Sequence, residues 1–82
     1  MKNRDEILQL IRDIMQEMFE IEANEVTLEA NLYKDLDFDS IDAVDMIVRL
    51  KETTGNALKP EDFKNARTVN DVVEAVYKLV DE

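Results

Sequence analysis

Asp35-Leu36-Asp37-Phe38-Asp39-Ser40-Ile41-Asp42 sets one serine among four aspartates, where an irregular segment gives way to a strongly periodic one. Asp39 suits a helix N-cap. Its carboxylate can accept from the backbone N–H groups of Ile41 or Asp42, and negative charge is favoured at that end. Ser40 is then the first helical residue, with its hydroxyl toward solvent. That position suits attachment better than nucleophilic attack. A catalytic serine needs a base within hydrogen-bond reach. The chain has no His and no Cys, and Lys34 is the only lysine close by in sequence. The aspartates also disfavour an alkoxide. The competing reading is that Ser40 merely helps to cap a helix.

The residues after Ser40 shift that balance. At about 100° per residue, Ala43, Met46, Ile47, Leu50 and Thr54 fall on one broad face of a helix from Ser40 to Thr54. Ile41, Val44 and Val48 fall nearly opposite. Asp42, Asp45, Arg49 and Glu52 fill one side between them, and Lys51 lies on the other. Arg49 follows Asp45 by one turn, a spacing that pairs opposite charges. A surface helix of a small domain turns one apolar face to the core, and this helix has two. One stripe is therefore expected to stay exposed. An exposed apolar stripe edged with acid reads as a partner-binding surface, unless other helices cover both sides.

Upstream, Asn3 or Asp5 can cap a first helix whose Ile7, Leu8, Ile11, Ile14, Met15 and Met18 recur at spacings of three and four. Leu10 and Phe19 lie on its margins, and it should end near Phe19 or Glu20. The methionines read as adaptable core filler. The long connection from Glu20 to Asp39 carries Ile21, Val26, Leu28, Leu32, Leu36 and Phe38, which suggest a loop pinned onto the core. A loop this long is usually functional, and Leu32 to Leu36 can form a helical turn. Downstream, Gly55, the one glycine, sits where a helix C-terminus needs it. Pro60 starts a short helix reaching Asn65, anchored by Phe63. Thr68 and Asp71 frame the start of a last helix, on which Val69, Val72, Val73, Val76, Tyr77 and Val80 repeat at three and four. No segment alternates like a half-buried strand. The expected fold is all-α. It is a small four-helix bundle with three longer helices, one short helix and a long loop between helices one and two, forming one domain over residues 1–82.

Composition bounds the function. Twenty acidic residues against ten basic ones leave a net charge of −10, which argues against nucleic acid and anionic membranes and favours basic partners. Without cysteine there are no disulfides or thiolate metal sites. No apolar run approaches the roughly 20 residues of a membrane span, and the charged start is unlike a signal peptide. A soluble cytoplasmic protein is expected. Asp35, Asp37 and Asp39 copy the first three ligand positions of an EF-hand loop. Ser40 and Met46, however, stand where that loop needs its Gly and its bidentate Glu. A degenerate calcium binder and an unmodified helical interaction module thus remain as rival classes.

Asp39-Ser40-Ile41-Asp42, followed by an apolar and acidic helix, resembles the prosthetic-group site of acyl carrier proteins. The resemblance extends over nearly the whole chain, through Leu32-Tyr33-Lys34-Asp35-Leu36 ahead of the site and Thr68-Val69 after it. It implies that Ser40 carries 4′-phosphopantetheine through a phosphodiester, added by a phosphopantetheinyl transferase that recognises Asp39. The arm's thiol would hold acyl groups as thioesters. Ile41, Val44 and Val48, flanked by Asp42 and Asp45, match the family's docking face for acyl-transferring, condensing and reducing enzymes with basic patches. Met46, Ile47 and Leu50 are the candidates to line a cavity for the acyl chain. The implied protein is a monomer and no enzyme, serving fatty-acid or polyketide synthesis. Three departures stand out: Asp37-Phe38 where the family usually has Gly, Arg49 and Lys51 on the second helix, and Thr53-Thr54 at its end. The Asp-Phe-Asp-Ser-Ile-Asp-Ala-Val-Asp run is more similar to carriers of specialised polyketide or aryl-polyene-like pathways.

Overall fold

Three of the four helices begin at a side chain that satisfies first-turn amides, as their sequences require. The computed structural model describes residues 3–56 and 58–81. Its elements are α1 (Arg4–Phe19), a 3-10 turn (Ala23–Glu25), α2 (Ser40–Thr54), α3 (Pro60–Asn65) and α4 (Val69–Asp81). At α1, Asn3 Oδ1 accepts from the Glu6 amide at 2.9 Å. At α4, Thr68 Oγ1 accepts from the Asp71 amide at 3.3 Å, while Asp71 Oδ2 accepts from the Thr68 amide at 3.2 Å and the Arg67 amide at 2.9 Å. α3 starts on Pro60, which fits a first turn because it lacks the N–H that would be unpaired there.

α1 packs on α4 and α2 packs on α3. Ile7, Ile11, Ile14 and Met15 of α1 meet Val69, Val72, Val73 and Val76 of α4 in one core, joined by Met46 and Leu50 of α2 and by Phe63. The loop before α2 belongs to that core, because Val26, Leu32, Leu36 and Phe38 are all buried. Several of its backbone groups are paired along the way. The Leu32 amide donates to Arg67 O at 2.8 Å, and the Val69 amide donates to Ala30 O at 3.0 Å. Arg12 Nε donates to Val26 O at 2.9 Å. The expected helical turn is a single α-turn. The Asp35 amide donates to Asn31 O at 2.9 Å, and Asn31 Oδ1 accepts from the Tyr33 and Lys34 amides at 2.9 Å.

Two expectations are corrected. Leu28 is no anchor and is 38% exposed. It sits at the corner of a turn closed by the Ala30 amide and Thr27 O at 3.1 Å, which aims it outward. Arg49 does not turn back to Asp45. Its Nη2 meets Glu17 Oε1 of α1 at 2.7 Å, since packing brings a carboxylate from another helix within reach.

Candidate functional site

The head of α2 is built as a reciprocal cap. Asp39 Oδ1 accepts from the Ile41 and Asp42 amides, each at 2.9 Å, and Asp42 Oδ2 accepts from the Asp39 amide at 3.3 Å. Both carboxylates are thereby engaged locally, and Ser40 stands exposed in the first turn. It is the only serine in the chain. The segment leading in is held by the Phe38 ring, buried against Phe19 at the end of α1 with centroids 5.0 Å apart. The Phe38 amide also donates to Leu32 O at 2.9 Å. The loop thus delivers Asp39 to a fixed place.

One side of Ser40 opens on an apolar groove of about 360 Å³, lined by Tyr33, Ser40, Ala43, Val44, Ile47, Pro60, Phe63 and Lys64. Of Met46, Ile47 and Leu50, the candidates for an acyl-chain cavity, Ile47 lines this groove. Met46 and Leu50 are buried in the core, at 0% and 1% exposure. Tyr33, Pro60, Phe63 and Lys64 were missed by reading α2 alone, whereas Ala43 lies on the same expected face of α2 as Ile47. The missed residues come from the loop and from α3, which no spacing on a single helix can bring together. The other apolar stripe faces out, with Ile41, Val44 and Val48 at 69%, 55% and 51% exposure and Asp45 exposed beside them. Val44 serves both surfaces.

Glu20, Glu25, Asp35, Asp37 and Asp42 border a second hollow of about 430 Å³ on the other side of the cap. Asp35 Oδ2 is taken by the Asn31 amide at 2.7 Å. Among the described residues, no three carboxylates converge into a group that could hold a metal ion. No described helix is long and apolar enough to cross a membrane.

An exposed hydroxyl at the head of a capped acidic helix, beside an apolar groove in a four-helix bundle, is an arrangement suited to carrying an attached group. The family described as a phosphopantetheine attachment site matches residues 9–76. Acyl carrier protein 2 of Ralstonia nicotianae is 55% identical over 75 residues, covering 92% of this chain and 93% of that protein. The meromycolate extension acyl carrier protein of Mycobacterium leprae is 37% identical over 79 residues, covering 96% of this chain and 69% of that one. The crystal structure of an acyl carrier protein from Thermotoga maritima superposes with a TM-score of 0.82 at 24% identity, covering 95% of this chain and 91% of that one. The chain belongs to the acyl carrier proteins, which bear 4′-phosphopantetheine and work with phosphopantetheinyl transferases and biosynthetic enzymes without being enzymes themselves.

Proposed function

We propose that Ser40 is the residue that takes the 4′-phosphopantetheine, and that the loaded chain delivers acyl groups to fatty-acid or polyketide synthesis. The observation that carries this reading is the setting of the chain's only serine, exposed at the start of α2 and lining the apolar groove. These residues fit the group. A helix N-terminus favours the phosphate's charge, and Ala43, Val44, Ile47 and Phe63 offer apolar walls. When bound, the group supplies a thiol that holds acyl chains as thioesters. Ser40 supplies the hydroxyl. No histidine is present to activate it, so the base comes from the transferase.

Asp39 fixes the start of α2 and is the neighbour the transferase reads. Ile41, Val44 and Val48 enter an apolar groove on the partner, while Asp42 and Asp45 meet its Arg or Lys residues. The exposure of all three apolar residues supports this docking face. Residues 1–82 are read as one carrier domain, monomeric and cytoplasmic, with one core threading all four helices.

Incubating wild type and Ser40→Ala with a promiscuous transferase and coenzyme A, then weighing both, tests the assignment. Wild type gains the mass of one phosphopantetheine and the variant gains none. Because Thr27, Thr53, Thr54 and Thr68 remain in the variant, any such gain on it would overturn Ser40 as the site.

A further inference from the structure

We infer that Lys64 is the counter-ion of the phosphodiester on Ser40, an inference that rests on the reading of Ser40 as the attachment site. A phosphodiester there brings a full negative charge next to Asp39 and Asp42, in a chain of net charge −10. The helix dipole favours that charge, but two of its first-turn amides are already taken. The Ile41 and Asp42 amides, which a bare helix would turn to an anion, already donate to Asp39 Oδ1 at 2.9 Å. A cation from elsewhere in the fold would therefore ease the repulsion from Asp39 and Asp42. Lys64, in the last turn of α3, lines the same groove as Ser40. It is exposed and, among the described residues, it forms no ion pair. The other groove-lining side chains carry no formal charge. Packing of α2 on α3 thus brings an uncommitted ammonium group to the edge of the pocket that receives the anion.

The test compares the change in melting temperature on loading, with mass spectrometry confirming stoichiometric phosphopantetheine on each protein. The proteins are wild type, Lys64→Gln, Lys64→Glu, Lys64→Arg and a control, Lys59→Gln. Lys59 removes the same charge from α3's surroundings but lines a different groove, with Asp71 and Glu74. At low salt, loading is expected to shift melting more favourably in wild type than in Lys64→Gln by about 2–5 °C, the scale of one exposed ion pair in a domain of this size. Lys64→Glu should widen that difference, Lys64→Arg should restore the wild-type value, and Lys59→Gln should match wild type. About 1 M salt should erase the differences, because charges are then screened within about 3 Å. Equal increments across the loaded set, or an equal deficit in Lys59→Gln, would overturn the role of Lys64 alone. A wild type that takes up no phosphopantetheine would overturn the Ser40 reading, and this inference with it.

Discussion

Glu20 and Asp37 both hold the left-handed backbone conformation, each at φ 57°, without being glycine. Glu20 ends α1, where its amide and that of Ile21 converge on Met15 O, a position at which helices favour glycine. Asp37 stands two residues before the cap, at the Asp37-Phe38 pair where the family resemblance leads one to expect Gly. A short polar side chain tolerates this conformation better than most. The two sites should therefore respond unequally to glycine. Relief of about 1–2 kcal/mol of strain, less about 0.5–1 kcal/mol of added chain entropy, leaves Glu20→Gly more stable by about 0.5–1 kcal/mol. Asp37→Gly should gain less. Thermal melts of the two single variants check the order, and a lower melting temperature for Glu20→Gly would contradict it. The cap itself was readable residue by residue, because Asp39 and Asp42 act on their own neighbours. The partner of Arg49 was not, because Glu17 lies 32 positions away and only packing brings it to 2.7 Å.

At the scale of elements, α2 separates stability from recognition on two faces. Leu50 is 1% exposed, so Leu50→Ala should cost about 2–5 kcal/mol and lower the melting temperature sharply. Val44→Ala, at 55% exposure, should stay within about 0.5 kcal/mol of wild type. It should nonetheless slow modification of Ser40, with little salt dependence, because the loss is one of apolar area. Asp45→Lys should also leave melting nearly unchanged, since the Arg49–Glu17 pair does not involve it. It should slow modification through the association rate, most strongly at low salt. Transferase kcat/KM across a salt series separates the two variants, and identical slopes would remove the docking face from α2.

The start of α4 has its own pH signature. The backbone amides of Arg67 and then Thr68 hold the Asp71 carboxyl below its ordinary range. A depressed carboxyl stabilises the fold above its unfolded value, and that contribution is lost as pH falls through the folded one. The difference in melting temperature between wild type and Asp71→Asn should thus be constant above about pH 5 and narrow below about pH 4. A gap that stays flat into acid would mean that charge at Asp71 contributes nothing.

For the whole molecule, the decisive quantity is a net charge of −10 on a body only 31 × 23 × 20 Å in extent. At about 0.01 M salt the screening length is about 30 Å, so every carboxylate repels every other. At about 0.15 M it is about 8 Å and only neighbours matter. Most of the self-repulsion should therefore vanish over that interval. Melting temperature should rise between the two concentrations, and rise at low salt on adding millimolar divalent cation. Melting that ignores both would mean that Arg4–Glu74, Arg49–Glu17 and the caps already offset the excess acid.

Helix positions, caps and the two-faced character of α2 were determined by the sequence itself. Each depends on residues at most four apart, and the 3.6-residue repeat with its terminal Asn3, Asp39, Gly55, Pro60 and Thr68 encodes them locally. Which stripe of α2 stays exposed, and what forms the groove beside Ser40, was decided only by the tertiary structure. Leu28 and Leu32 look alike in the chain, yet one turns outward and one is fully buried, because a turn and long-range backbone hydrogen bonds set their directions. The groove exists because α3 and the Tyr33 turn lie against α2. A surface assembled from three separated segments has no local spacing to announce it.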